Sequence, residues 1–399
     1  MKKVAIVGLG YVGLPLARRA IAAGYLVSGV DSSNRVIDRL GRTEAMFSSL
    51  SSSYDSVEAV DIVVVCVPTP IHADKSPDLS HINDALTQVG KHLHMGQLVS
   101  IESTVFPGYC ETIGRHILES ESGLVAGSDF CLVHCPERVN PGDNVWHVGN
   151  IPRVLGAVNE KSAVIGKRFY ADITKGGVFV TQNMDEAEAA KMVENTFRDI
   201  NIAFVNELAK SFDGTNVSLA SVIDAASTKP FGYMPFRPGL GVGGHCIPVD
   251  PEYLIDAART RGFRHDLIIN ARRVNDSMVD FVVNKIQKNA SGSAIALLGL
   301  TYKPGVADLR ESQAMRLRNA LVEKGYSVVA YDPLVKSDVE NIEDALAGAD
   351  TVIIATAHEE FSGIEGRINN CSSITLAFDA GQSIRPALLK RAKHMGIGA

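Results

Sequence analysis

Val4-Ala5-Ile6-Val7-Gly8-Leu9-Gly10-Tyr11-Val12-Gly13 stands at the start of the chain, and the reading of its fold begins there. The four apolar residues have strand character, and a helical pattern follows over 14–23. Gly24-Tyr25 turns the chain into Leu26-Val27-Ser28-Gly29-Val30, a second strand that ends at Asp31. A G-x-G-x-x-G run between strand and helix is the dinucleotide fingerprint of a βαβ unit. Gly8 is expected to make the tight turn, Gly10 to let backbone approach a pyrophosphate, and Gly13 to let helix and strand pack closely. Tyr11 and Val12 complete that cofactor loop, and the helix N-terminus meets the phosphates. Asp31 lies where a carboxylate accepts ribose hydroxyls, which favours NAD over NADP, although Arg35 is close by.

Further strands follow at 61–67, ending in Pro68-Thr69-Pro70, and at 97–104, which includes Ser103-Thr104. In an open parallel sheet, ligands sit beyond the carboxyl ends of the strands. Thr69, Ser103 and Thr104 have that address, with local satisfaction of backbone groups as the alternative. The strand over 129–135 runs into Pro136-Glu137-Arg138. Glu137 and Arg138 read as site residues beside Thr104, or as a surface ion pair.

From Asp185 the alternation gives way to a long helix, with Ala187, Ala190, Met192, Val193, Phe197 and Ile200 at helical spacing. Lys191 and Asn195, four apart, share one face. A helix over 219–226 leads to Arg237-Pro238-Gly239-Leu240-Gly241-Val242-Gly243-Gly244-His245-Cys246-Ile247-Pro248-Val249-Asp250-Pro251. Four glycines in six residues suit backbone passing close to a ligand. The loop delivers the thiol of Cys246, with Asp250 four residues on, either as a presented nucleophile or as a structural cysteine. Helical segments at 253–260 and 266–287 precede a boundary at Ser291-Gly292-Ser293. A second alternating region then has strands at 294–300, 328–333 and 351–356, and a last one at 374–379. It lacks G-x-G-x-x-G. Its Lys303 and Arg310 are cations suited to phosphate, or else ordinary surface charge.

The 399 residues are enough for two or three domains, and the net charge of -6 gives no general attraction to nucleic acid. No apolar run approaches a membrane span, and the first one is too short for a signal peptide. Without a signal, the six scattered cysteines read as reduced thiols of a cytoplasmic protein. Cys131 and Cys135 could pair on a metal, but their strand context favours packing, so no metal is expected.

The order of Gly8-x-Gly10-x-x-Gly13, Ser103-Thr104-x-x-Pro107-Gly108, Pro136-Glu137-Arg138, Lys191-x-x-x-Asn195, Gly241-x-Gly243-Gly244-His245-Cys246 and Tyr302-Lys303-Pro304 with Asp308-Leu309-Arg310 resembles the UDP-glucose/GDP-mannose dehydrogenases over nearly the whole chain. The resemblance implies an α/β protein with two Rossmann-like domains of parallel sheet, joined by a helical middle domain with a long central helix. It implies an NAD-binding domain at 1–184, a middle and dimerisation domain carrying the cysteine loop at 185–290, and a UDP-sugar-binding domain at 291–399. A homodimer, a UDP-sugar substrate and no nucleic-acid or membrane partner follow.

The run 226–236 and the Pro136-Glu137-Arg138-x-x-Pro141-Gly142 form resemble the branch acting on UDP-N-acetylglucosamine or UDP-N-acetylmannosamine. The UDP-glucose branch has a second glutamate where this chain has Pro141. The chemistry implied is four-electron oxidation of a sugar C6 alcohol to the acid, with two NAD reduced. Cys246 carries the thiohemiacetal and thioester, Lys191 stabilises the alkoxide and lowers the thiol pKa, Asn195 supports the same oxygen or an ordered water, Glu137 is the base for water, Thr104 orients it, and Asp250 tunes the site. Arg138, Arg237, Gly243, Lys303 and Arg310 are the further substrate contacts. UDP-glucose oxidation, a two-electron hydroxyacid-type dehydrogenase and a non-enzymatic nucleotide-sugar or NAD sensor are the rival readings.

Overall fold

In the computed structural model, residues 2–140, 142–143 and 145–398 are described, and the chain forms two compact units. Unit 1 comprises Met1–Glu194 and Glu252–Arg264, and unit 2 comprises Asn195–Pro251 and His265–Ala399. Pro141, on which the contrast with the UDP-glucose branch rests, lies outside the described residues.

Unit 1 is built on an eight-stranded sheet. Its strands are β1 Lys3–Val7, β2 Leu26–Val30, β3 Ser49–Ser51, β4 Ile62–Val65, β5 Leu98–Ile101, β6 Cys131–His134, β7 Arg153–Ala157 and β8 Val178–Val180. Their order is β3-β2-β1-β4-β5-β6-β7-β8, and pairing is parallel except between β6 and β7. The order reverses direction at β1 and β4, so the turns after these strands open at the crevice where doubly wound sheets bind ligands. Period-2 alternation distributes β1 between two cores. Val4 and Ile6 enter one cluster, and Ala5 and Val7 the other. Helices therefore cover both faces, which is why the strands are apolar throughout rather than alternating.

The helix Met184–Ser211 is 28 residues long, roughly 42 Å at 1.5 Å per residue. No glycine or proline interrupts it. The region expected to be helical over 266–287 is two helices, Asp266–Asp276 and Met278–Asn289, divided at Ser277. Unit 2 has a parallel sheet of β9 Ala294–Leu298, β10 Ser327–Tyr331, β11 Thr351–Ile354, β12 Leu376–Asp379 and β13 Lys393–Gly396, in the order β10-β9-β11-β12-β13. The strand at 374–379 is thus not the last. β13 follows it at the edge, and its Lys393-His394-Met395-Gly396 lacks the apolar run that marks a buried strand. Alternation again splits β9, with Ile295 and Leu297 on one side and Ala296 and Leu298 on the other.

The fingerprint turn is sterically determined. Gly8 has φ +90°, and a Cβ there would lie 2.6 Å from the Cys66 carbonyl oxygen. A Cβ on Gly13 would lie 1.8 Å from the Gly8 carbonyl oxygen. Around Gly10 nothing comes within 4 Å of the same position, so its outer side is open. Gly13→Ala is expected to destabilise the protein by at least about 1–3 kcal/mol, the usual cost of overpacking. A variant that melts together with the wild type would contradict this account of the turn.

Candidate active site

Unit 1 brings the residues expected to hold a dinucleotide to the carboxyl ends of β1, β2 and β4. The helix Gly13–Ala22 starts directly after the turn; Leu14 and Leu16 N–H groups are bonded to the Gly10 and Val12 carbonyls and Pro15 has none, so the helix offers an anion the positive end of its dipole. Tyr11 is exposed at the turn, whereas Val12 packs on the core and offers only its backbone. Asp31, beyond β2, accepts the Leu9 N–H at 2.9 Å and the Ser33 N–H at 2.9 Å. Its carboxylate is thereby fixed against the glycine turn. Arg35 sits on the exposed helix Asn34–Thr43, lining a shallow depression of about 440 Å³ with Asp38, Arg39, Arg42 and Thr43. Open space at Gly10, a helix N-terminus and an oriented carboxylate together fit NAD.

Beyond β4, the carbonyl of half-buried Thr69 accepts from the Tyr253 hydroxyl at 3.0 Å. Ser103 takes the local role, its hydroxyl donating to the Val67 carbonyl at 2.8 Å. Thr104 is half-buried at the end of the same segment. Glu137 is buried, and its Oε1 accepts the N–H groups of Arg138 and Val139, both at 2.6 Å. Arg138 forks onto Glu194 at 3.1 and 2.6 Å and also donates to the Pro152 carbonyl at 2.8 Å, so its ion pair is with Glu194 and not with the neighbouring Glu137, which pairs with Arg153. Lys191 is buried at 8% exposure, an uncommon state for lysine.

The sequence reading missed Glu188, one turn before Lys191. Its carboxylate accepts the N–H groups of Gly108 at 2.5 Å and Cys110 at 2.8 Å, closing the turn after Pro107. Burial pushes its carboxyl up to about 7. Cys110, His134 and Glu188 bring potential ligand atoms within 4.8 Å of one another, with Cys110 Sγ 3.6 Å from His134 Nδ1. Burial drives the thiol upward and the imidazole down to about 3, which favours a neutral thiol and imidazole. Zinc centres have four protein ligands, or three plus an open position for water. Among the described residues this cluster has three ligands and is closed to solvent, so it reads as hydrogen-bonded packing.

In unit 2 the cysteine loop is held by backbone and buried polar groups. The Gly239 N–H donates to Asn206 Oδ1 at 2.9 Å, and Asn206 donates to Asn275 Oδ1 at 2.9 Å. Asn275 in turn donates to Asp199 at 2.9 Å, and Arg272 donates to the same carboxylate oxygen at 2.7 Å. On the other side, Gln313 donates to the Val242 carbonyl at 2.9 Å, and the Gly244 N–H to the Arg310 carbonyl at 3.3 Å. A Cβ on Gly241 would lie 2.5 Å from the Asn275 carbonyl, and one on Gly244 2.8 Å from the Tyr302 ring. Gly243 is equally confined, 2.9 Å from the Glu311 carbonyl by the same construction. The loop and the 302–310 segment, far apart in sequence, are therefore one packed structure.

Cys246 is half-buried, and its carbonyl accepts the N–H groups of Val249 at 3.1 Å and Asp250 at 2.9 Å. This turn leads into the helix Asp250–Arg259. Asp250 is buried and accepts from the Asn195 side-chain amide at 2.5 Å. His245 Nδ1 lies 3.9 Å from Asp308, and Arg310 forks onto that same carboxylate at 3.0 and 2.7 Å. Lys303 is half-buried within this segment. Arg237 pairs with Asp224 at the exposed start of the loop and donates to the Ala220 carbonyl at 3.3 Å.

Residues 42–174, 185–277 and 296–385 match, in that order, the NAD binding, central and UDP binding domains of the UDP-glucose/GDP-mannose dehydrogenase family. The chain belongs to this family. It is 37% identical over 390 residues to a UDP-N-acetyl-D-glucosamine 6-dehydrogenase of Pseudomonas aeruginosa, covering 91% of this chain and 92% of the relative. It is 35% identical over 386 residues to a UDP-N-acetyl-D-mannosamine dehydrogenase of Pyrococcus horikoshii, covering 91% of each. A solved structure of UDP-D-ManNAc dehydrogenase from Pyrococcus horikoshii superposes with a TM-score of 0.90 at 33% identity, covering 99% of both chains. The protein is accordingly an NAD-dependent nucleotide-sugar dehydrogenase with a UDP-binding region. No helix among the described residues is long and apolar enough to cross a membrane.

Asn206→Leu leaves the Gly239 N–H and Asn275 Oδ1 without this partner, at about 1–3 kcal/mol for each buried group. Urea unfolding is expected to register that loss. An unchanged midpoint would remove this network as the anchor of the cysteine loop.

Proposed function

We propose that the protein oxidises the C6 hydroxyl of a UDP-N-acetylhexosamine, UDP-N-acetylglucosamine or UDP-N-acetylmannosamine, to the carboxylate. The observation that carries this reading is the half-buried Cys246 thiol on a sterically fixed loop, one turn before the buried Asp250. The names of the relatives above support the substrate class. The three-part organisation at 1–184, 185–290 and 291–399 belongs to the same proposal. So does a cytoplasmic homodimer, which is supported by the exposed Val193, Phe197 and Phe204 on the long helix.

NAD, when bound at the Gly8–Gly13 turn, supplies the hydride acceptor for both oxidations. The alcohol first loses a hydride and a proton to give the aldehyde. The thiolate of Cys246 then attacks the aldehyde carbon, forming a C–S bond and a thiohemiacetal. That adduct loses a second hydride to become a thioester. Water attacks the thioester, the C–S bond breaks, and the acid leaves with the thiol regenerated. In sum, one alcohol, one water and two NAD give one carboxylate, two NADH and three protons.

In this scheme Lys191 stabilises the alkoxide-like oxygen, Asn195 supports Asp250 and the same oxygen, and Asp250 tunes the thiol. Glu137 accepts a proton from the hydrolytic water, and Thr104 orients that water. Lys303 and Arg310 meet the diphosphate, with Arg138, Arg237 and Gly243 as further substrate contacts. Asp308 already holds Arg310, so the diphosphate arrives at a cation of fixed position.

Incubation with UDP-N-acetylglucosamine, UDP-N-acetylmannosamine and UDP-glucose is expected to yield two NADH per sugar consumed, with an N-acetylhexosamine preferred. One NADH per sugar would contradict the thioester route, and a preference for UDP-glucose would contradict the branch. Cys246→Ala should abolish acid formation while NAD binding persists. Lys191→Ala should lower kcat by about 100- to 1000-fold, as loss of one oxyanion donor does. Retention of near wild-type kcat would remove Lys191 from the chemistry.

A further inference from the structure

An arginine lies at full depth in unit 1 in a place the chemistry above does not use. Arg153, the first residue of β7, is 1% exposed. Its Nη1 donates to Glu137 Oε2 at 2.7 Å, and its Nη2 lies 2.6 Å from Glu102 Oε2. Nη2 also donates to the Cys135 carbonyl at 3.4 Å, and the guanidinium stacks 5.0 Å from the Tyr170 ring centroid. A charge buried this deeply costs several kcal/mol unless its partners are well placed. Its two carboxylates therefore have little freedom to move.

The two carboxylates are not equivalent. Glu137, beyond β6, receives two backbone N–H groups on Oε1 and the guanidinium on Oε2. Glu102, beyond β5, accepts the Tyr170 hydroxyl at 2.7 Å on Oε1, while its Oε2 faces Arg153 without hydrogen-bond alignment. The other titratable groups facing the pair are Cys66 beyond β4, Cys135 beyond β6 and Tyr170 on the helix Glu160–Ile173. Two ionised carboxylates against one guanidinium would leave a net negative charge in a dry interior. For Glu137, burial pushes the carboxyl up, but Arg153 and the two N–H groups outweigh it and hold it below the usual range. For Glu102, burial wins over Arg153 and the carboxyl is raised.

We propose that Arg153 is a positioning residue for thioester hydrolysis, locking the Glu137 carboxylate in place as the proton acceptor for water while Glu102 holds the other arm of the guanidinium. This rests on the reading of Glu137 given under the proposed function. In the hydrolytic step the water proton passes to Glu137, the water oxygen bonds to the thioester carbon, and the electron pair of the C–S bond returns to the Cys246 sulfur. Glu137 is a weak base in this setting, yet it stays available through neutral and mildly acidic pH. The sign is fixed: a carboxylate held low is lost only in acid, and removing its cation moves that loss to higher pH.

The test is the pH profile of steady-state kcat with UDP-N-acetylglucosamine or UDP-N-acetylmannosamine, whichever turns over faster, and saturating NAD. It compares the wild type with Arg153→Met, Arg153→Lys, Glu102→Gln and Glu137→Gln. Arg153→Met is expected to move the acid limb upward by about 1–3 pH units, the range an adjacent opposite charge commands. Arg153→Lys, which keeps the charge but not the two-armed contact, should show a smaller shift in the same direction, and it supplies the readout if the methionine variant does not fold. Glu102→Gln, isosteric with a protonated carboxyl, should keep the wild-type acid limb. Folded Arg153 variants with the wild-type profile, or a Glu102→Gln profile shifted like that of Arg153→Met, would overturn the inference. If Glu137→Gln alone leaves kcat unchanged at every pH, the role given to Glu137 fails instead, and the inference falls with it.

Discussion

Atoms already in place leave the backbone of residues 239–244 no room for side chains at its tightest points. The Asn275 carbonyl closes on Gly241, while the Glu311 carbonyl and the Tyr302 ring close on Gly243 and Gly244. Glycine is therefore required here by close approach as well as by positive φ. The entropy lost in ordering such a run is offset by buried hydrogen bonds from Asn206, Gln313 and the Arg310 carbonyl. The consequence is a thiol whose position follows from a rigid frame, which suits the proposed nucleophile, since it must attack, be acylated and be released in turn.

The two sheets repeat one device and put it to different use. In each, the first strand ends in a glycine of positive φ, Gly8 or Gly299, followed by leucine. In each, the next strand is followed by an aspartate that accepts that leucine's N–H, Asp31 for Leu9 and Asp332 for Leu300. After Leu9 come Gly10 and a helix start, which leave space for a dinucleotide. After Leu300 come Thr301 and a buried His358, which hydrogen-bond each other at 2.9 Å, and His358 also approaches Asp332 at 3.1 Å. Burial raises the Asp332 carboxyl, but His358 and three backbone N–H groups hold it far below the ordinary range. This aspartate is taken up by the protein's own groups, in the region that matches the family's UDP binding domain.

What was legible from residue order was what spacing encodes. The glycine fingerprint, the helical interval from Lys191 to Asn195 and the crowded glycines before Cys246 carry their geometry in a few adjacent positions. The strands of β4, β5, β6 and β9 were legible because both faces are buried and their apolar runs are continuous. β13 was hidden because an edge strand needs no apolar run, and the break at Ser277 because the helical period continues across it. Glu188 and Arg153 were hidden for a different reason. Each is an ordinary charged residue in sequence, and its meaning comes from partners 16 to 80 positions away, brought together only by the folded sheet. The ion pair of Arg138 with Glu194 belongs to the same class.

The most direct test of the whole account is acid quenching during turnover with sugar nucleotide and NAD, followed by mass mapping of the peptides. A UDP-uronyl adduct on the peptide containing Cys246, absent when NAD is omitted, is the result this structure predicts. An adduct on any other residue, or unmodified Cys246 at every quench time while the acid accumulates, would contradict it.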